Sequence, residues 1–307
     1  MIERRESSLH ELTTVLDYIR WGTSRFHEAG LWYGHGTDNA WDEAVLLVTH
    51  ALHLPPYSKP EILQARLTME ERRDVLTLLE RRFTERVPAA YLTHEAHFCD
   101  MTFYVDDRVL VPRSPIGEMI RHSFQPWLKV EPLAILDLCC GSGCIGIACA
   151  EAFPEARVDL SDISGGAIEV AQVNINRHDL NERVRAVQSD LFAGLQGFSY
   201  ELIVCNPPYV DAHDLAEMPE EYRVEPDIAL GSGDDGLDFT RRLLCEAANH
   251  LQPEGLLVCE VGNSWEALEQ AFPEVPFMWP EFEDGGHGVF VISREELLAY
   301  QPYFEKE

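Results

Sequence analysis

The 307-residue chain is predicted to fold as an α/β protein, a mostly parallel sheet covered on both faces and preceded by a small helical domain and a linking β-hairpin. Three observations predict this. Residues 1–92 place apolar side chains at helical spacing and contain no strand-like run. Residues 97–110 switch to aromatic and β-branched residues. Beyond Pro132, short apolar runs alternate with helical segments, a rhythm that builds parallel βαβ units.

In the helical domain, Ser8 and Glu11 form a capping-box signature, and Leu9, Leu12, Leu16, Ile19 and Phe26 follow at helical spacing up to a stop at Gly30. A second helix is expected from about Asn39 to His53, with Pro55-Pro56 beyond its end. Thr68 and Glu71 cap a third, which carries Val75, Leu78, Leu79 and Arg82 and closes at Pro88. Arginine pairs at 72–73 and 81–82 alternate with acids, which reads as a solvated helix face. No catalytic constellation falls here, so substrate recognition is the natural use of this domain.

Phe98, Phe103, Tyr104 and Val105 predict a hairpin turning at Cys99-Asp100, within a linker over 93–112. The third domain, 113–307, opens with a helix ending near Lys129. Strands are then expected near 133–138, 157–162, 183–188, 200–205 and 255–261, with helices near 142–152, 164–178, 237–251 and 264–272. Two last apolar runs, 275–279 and 288–292, flank Asp284-Gly285-Gly286-His287-Gly288. Ligand sites in such sheets lie beyond the carboxyl ends of the strands.

Composition bounds the function. Eight cysteines occur without an apolar leader and at spacings that suit neither a disulfide framework nor a zinc or iron–sulfur site, so a reducing cytoplasm is expected and no metal. The most apolar long stretch, 133–150, is broken by Asp137 and rich in small residues, which makes a poor membrane span. Net charge is −29, with only −3 of it in residues 1–90 and −26 in residues 91–307. A surface this acidic repels phosphate and attracts a basic partner. Adaptation to a salty cytoplasm fits the same charge and the scarcity of lysine, 3 against 21 arginines, and composition does not separate the two origins.

Two stretches carry chemistry. The first expected strand runs into Asp137-Leu138-Cys139-Cys140-Gly141-Ser142-Gly143-Cys144-Ile145-Gly146, a glycine turn between strand and helix that suits a nucleotide-like ligand. The second strand ends at Asp162, where a carboxylate can accept both hydroxyls of a ribose, and the third ends at Asp190-Leu191 on the same edge. A nicotinamide dehydrogenase and an S-adenosylmethionine methyltransferase fit these features equally. The fourth strand ends in Asn206-Pro207-Pro208-Tyr209, and this decides between them. Two prolines stop the strand and hold Asn206 extended, presenting one side-chain amide, an unpaired carbonyl and an aromatic ring. A dehydrogenase has no use for that group. Methyl transfer to a planar NH2 has one: the Asn206 oxygen and Pro207 carbonyl accept its two hydrogens and stabilise developing positive charge, while Tyr209 packs on the plane.

On these motifs residues 133–293 resemble class I, Rossmann-like S-adenosylmethionine-dependent methyltransferases, for which an antiparallel strand is expected at the C-terminus. The helical domain, the hairpin and the domain order resemble the protein-(glutamine-N5) methyltransferases. Asp107–Glu118 (Asp-Arg-Val-Leu-Val-Pro-Arg-Ser-Pro-Ile-Gly-Glu) is similar to the ribosomal-protein branch; the release-factor branch reads Pro-Arg-Pro-Asp-Thr-Glu at this point. The resemblance implies that S-adenosyl-L-methionine is held by Asp137, Cys139, Cys140, Gly141, Ser142, Gly143, Asp162, Asp190, Leu191 and Asn206. It implies that Asn206, Pro207, Pro208 and Tyr209 receive the glutamine. The implied substrate is basic large-subunit ribosomal protein L3. A release factor is the alternative, and nucleic-acid adenine is opposed by the acidic sheet domain. Cys139-Cys140 depart from the small or polar residues common in that turn. Glu118 and Glu260 are acids that order loops as readily as they face a site, so neither is assigned a role. Residues 210–236, with Glu225-Pro226-Asp227, are expected to form a lid or a substrate-contact loop, with an ordinary surface loop as the plainer reading.

Overall fold

The N-terminal periodicity forms α1 (Ile2–Glu11), α2 (Val15–Ala29), α3 (Ala40–Ala51), α4 (Met69–Thr84) and α5 (Ala89–Thr93) in a computed structural model that describes residues 2–55 and 59–305. The capping box expected at Ser8 lies elsewhere. Ser8 sits inside α1, and Thr14 caps α2, because the Asp17 carboxylate reaches back to the Thr13 and Thr14 N–H groups at 2.9 and 2.8 Å. The expected single helix is therefore two. Thr68–Glu71 caps α4, as read from the sequence, and Asn39, the expected start of the second helix, caps α3. Pro56 lies outside the described residues.

Residues up to Glu95, together with Pro219–Val224, form one compact unit. Its core gathers Tyr18, Ile19, Phe26, Leu47, Val75, Leu76 and Leu79. Arg82, expected in solvent, is instead 1% exposed inside this core. Its guanidinium meets Glu43 at 2.5 Å, gives a second bond to the Trp32 carbonyl at 2.9 Å, and stands 3.6 Å from Glu221. Glu221 also accepts from Arg86 at 2.9 Å and from the Trp32 N–H at 3.0 Å. The charges are compensated where they are buried, which is the condition for burying them at all.

Residues 96–218 and 225–307 form the second unit. It begins with the hairpin β1 (Ala96–Phe98) and β2 (Met101–Phe103), whose turn is Cys99-Asp100, both at positive φ. The hairpin is part of this unit and no separate linker: Phe98 and Phe103 pack in the same core as the sheet. Next comes α6 (Ile116–Arg121), which stops well short of Lys129. The alternating region follows as β3 (Ala134–Leu138), α7 (Cys144–Ala152), β4 (Arg157–Asp162), α8 (Gly165–Arg177), β5 (Val184–Gln188) and β6 (Tyr200–Cys205). It continues through α9 (Ala212–Glu217), α10 (Asp238–Glu246), β7 (Leu251–Glu260), α11 (Trp265–Ala271), β8 (Val289–Ser293) and α12 (Arg294–Phe304).

The strand order is β5-β4-β3-β6-β7-β8, parallel throughout except for β8. The expected antiparallel C-terminal strand is thus present. The run 275–279 forms no strand and contributes only a bridge from Met278 to Val291. Side chains alternate between two cores: Ile135, Leu202, Val204 and Val258 face one, and Leu136, Ile203, Cys205, Leu257 and Phe290 the other. Burial on both faces is why these strands read as continuous apolar runs. The chain order reverses between β3 and β6, so the crevice beyond their carboxyl ends is the switch point where such sheets bind ligands.

Candidate active site

That crevice is lined by the Cys139–Ser142 turn after β3, Asp162 at the end of β4, Asp190-Leu191 after β5, and Asn206 and Pro208 after β6. Four strand ends thus bring most of the sequence-predicted residues into one cleft. The 108–114 segment, Ile163, Pro226, Ile228, Ala229, Phe239 and Arg242 also line it. Sequence reasoning missed Ile163, Phe239 and Arg242, although an apolar residue directly after the Asp162 strand end is a readable signal.

The turn is set by backbone and carboxylates together. Cys139, Gly141 and Gly143 have positive φ, and the Gly143 N–H donates to the Cys140 carbonyl at 2.7 Å. A Cβ on Gly143 would stand 2.8 Å from Leu160, so the turn can press on β4 only with glycine there. Asp162 accepts from the Gly141 N–H at 3.0 Å and the Ser164 N–H at 2.9 Å. Burial raises its pKa despite those donors. Asp190 lies on the rim, paired with Arg242 at 2.9 Å.

Asp137 and Gly143 stand behind the lining. The Asp137 side chain is fully buried, and its Oδ2 accepts from the Gly146 N–H of α7 at 2.7 Å. The structure gives Asp137 the work of holding the helix start against the strand. Burial lifts its carboxyl to about 8. Cys139 and Cys140 belong to the turn, while Cys144 and Cys149 are buried in α7, and burial pushes the thiols of Cys140 and Cys144 up.

Of Asn206-Pro207-Pro208-Tyr209, which follows β6 directly, Asn206 and Pro208 stand in the cleft wall. Among the described residues, neither the Asn206 side chain nor the Pro207 carbonyl has a hydrogen-bond partner. Neither Pro207, which is buried, nor the half-buried Tyr209 lines the cleft. Glu260, at the end of β7, accepts from the Tyr209 hydroxyl at 2.9 Å and from Ser114 Oγ at 2.6 Å. Burial lifts its carboxyl to about 7. Glu118 orders the glycine-rich loop, accepting from the Glu283 and Asp284 N–H groups at 3.0 Å each.

The suspected lid is tied down. Glu225 is buried and takes both arms of Arg113, at 2.7 and 2.6 Å, as well as the Val111 N–H at 3.0 Å. Of the next residues, Pro226, Ile228 and Ala229 line the cleft.

Comparison with known proteins decides the family. The chain is 50% identical over 291 residues to the ribosomal protein uL3 glutamine methyltransferase of Neisseria gonorrhoeae, covering 94% of this chain and 97% of the relative. The chain belongs to this methyltransferase family. The uL3 glutamine methyltransferase of Neisseria meningitidis matches equally, at 50% identity over 94% of this chain and 96% of its own. The methyltransferase small domain profile matches residues 126–220, a span that holds both the glycine turn and Asn206–Tyr209. Among solved structures, the hMettl16 catalytic domain in complex with the MAT2A 3′UTR hairpin 6 covers 73% of this chain and 80% of its own, with a TM-score of 0.50 and 15% identity. At that identity the likeness extends to the fold, and it supports the Rossmann-like assignment of this glutamine methyltransferase. Among its described residues no helix is long and apolar enough to cross a membrane.

Proposed function

We propose that the protein transfers a methyl group from S-adenosyl-L-methionine to the side-chain amide nitrogen of a glutamine in ribosomal protein uL3, in the cytoplasm. Its relatives carry that activity in their names, at 50% identity along nearly the whole chain. The observation that carries the chemistry is the unpartnered Asn206 amide at the lip of a cleft that also holds a glycine turn and the Asp162 carboxylate.

The residues present fit this cofactor. Asp162 offers carboxylate oxygens to a ribose diol, and the Cys139–Ser142 turn brings backbone close to the ligand. Ile163, Leu191 and Phe239 provide apolar surface for an adenine ring. The bound cofactor supplies an electrophilic methyl on a sulfonium. An amide nitrogen is a weak nucleophile because its lone pair is delocalised. Asn206 Oδ1 and the Pro207 carbonyl are the two acceptors for its hydrogens. They orient the nitrogen and offset the positive charge that develops on it, and Tyr209 supports the amide plane. This is catalysis by position and fixed dipoles. The net charge of −26 over residues 91–307 draws in a basic substrate and opposes nucleic acid.

Asn206→Ala tests the reading. Methyl transfer to purified unmethylated uL3 is expected to be lost, while calorimetric affinity for the cofactor stays within a few-fold of wild type. Full activity in that variant would falsify the mechanism.

A further inference from the structure

We propose that Glu260 is a positioning residue for methyl transfer, acting through Tyr209 and held in place by Ser114; this rests on the reading of Asn206–Tyr209 as the amide site. Tyr209 is pinned at three points. Its hydroxyl donates to Glu260 Oε1 at 2.9 Å. Its carbonyl accepts from Ser264 Oγ at 2.8 Å. Its ring lies so close on Gly262 that a Cβ there would collide with the ring edge.

Gly262 has φ +48°, and its N–H and that of Val261 donate to the Gly288 carbonyl at 3.1 and 2.6 Å. Gly288 packs so tightly on Gly262 that it too has no room for a side chain. The glycine-rich 284–288 loop, which the catalytic scheme leaves unused, thus backs the peptide against which the Tyr209 ring rests.

Glu260 carries this frame to the loop that distinguishes this branch in sequence. Its second oxygen accepts from Ser114 Oγ at 2.6 Å, and the same Oγ accepts the Ile116 N–H at the start of α6 at 3.2 Å. An ionised carboxylate can accept from both hydroxyls at once. Protonated, it must donate through one oxygen, so one of the two hydroxyls has to turn away. The groups that face it are Ser114, Tyr209 and the Arg113 cation, which is itself held by Glu225. Its titration near 7 places that change inside the working range of pH, with the ionised form on the alkaline side as the ordered one.

The test uses the full-length protein with recombinant unmethylated uL3. Glu260→Gln and Tyr209→Phe are each expected to lower kcat by about 10- to 100-fold, the scale of small misplacements at a reacting centre, with cofactor affinity unchanged. The double variant is expected to lose no more than the worse single one, because both changes break one unit. Wild-type kcat is expected to rise with pH through about 7, and Tyr209→Phe, with its carboxylate intact, to lose that limb. Multiplying single effects, or a limb that survives in Tyr209→Phe, overturns the proposal. Asn206→Ala in the same assay separates the two claims: activity in that variant sinks the amide-site reading itself, whereas additivity beside an inactive Asn206→Ala sinks only the role of Glu260.

Discussion

Replacing Arg113 by alanine tests whether the 225–229 wall matters for binding. Glu225 has a side-chain exposure of 0% against 29% for Arg113, so the substitution strands a buried carboxylate that keeps the Val111 N–H. Stranding a fully buried partner costs about 3–5 kcal/mol. Water reaches Arg113, so the lower end, about 3 kcal/mol, applies here. Pro226, Ile228 and Ala229 follow directly and line the cleft. If the cofactor binds only with this wall docked, undocking is charged to the binding equilibrium, and Kd rises by up to about 10²-fold. Calorimetry with S-adenosylhomocysteine, the unreactive product, measures it. Arg113→Lys, which keeps charge but loses the fork, should fall between. A Kd for Arg113→Ala within about twofold of wild type would refute the wall as a binding element.

Three other predictions follow from the buried charges. Asp162→Asn should raise the cofactor Kd by about 10- to 100-fold, the worth of one charge-assisted bond, and an unchanged Kd in equilibrium dialysis contradicts the ribose assignment. For Asp137, the folded state holds the proton up to about 8 while the unfolded chain releases it above about 4. Its contribution to stability therefore falls as pH rises across that window and is constant above it. Urea titrations should show Asp137→Asn gaining on wild type between those limits, at ~1.4 kcal/mol per pH unit at most; a pH-independent gap contradicts the shift. Arg82→Met leaves Glu43 buried without its cation, while Glu221 keeps Arg86, and should destabilise the helical unit by about 3 kcal/mol. Hydrogen exchange in α3 and α4 reads this directly, and unaltered protection there would count against a structural role for the pair.

Much of the site was legible because its residues follow strand ends. Asp162, Asp190 and Asn206 each close a run of apolar or β-branched residues, and a parallel sheet brings such ends to one edge. The turn at Cys139–Gly143 was legible for the same reason. Asp137 was less legible, because a carboxylate one residue before a strand's end can face the cleft or the adjoining helix, and packing turns its Oδ2 to the Gly146 N–H. Arg82 misled differently. It lies seven residues after Val75 on the buried face of α4, where helical periodicity puts an apolar residue, but its charge spoke for solvent. Its partners, Glu43 and Glu221, lie 39 and 139 positions away along the chain, and no local pattern reports them. The Glu225–Arg113 fork spans 112 positions and was equally silent. Thr14 displaced Ser8 as a cap because Asp17 reaches two N–H groups, a geometric advantage the Ser8–Glu11 spacing alone does not reveal.

The central claim is that a glutamine amide of one ribosomal protein accepts the methyl group. Its most direct test incubates the purified protein and methyl-labelled cofactor with extract from cells lacking the enzyme, then locates the label by tandem mass spectrometry. The account predicts one labelled protein, uL3, with the methyl on the side-chain nitrogen of a single glutamine. Label in a release factor or in nucleic-acid adenine would contradict it.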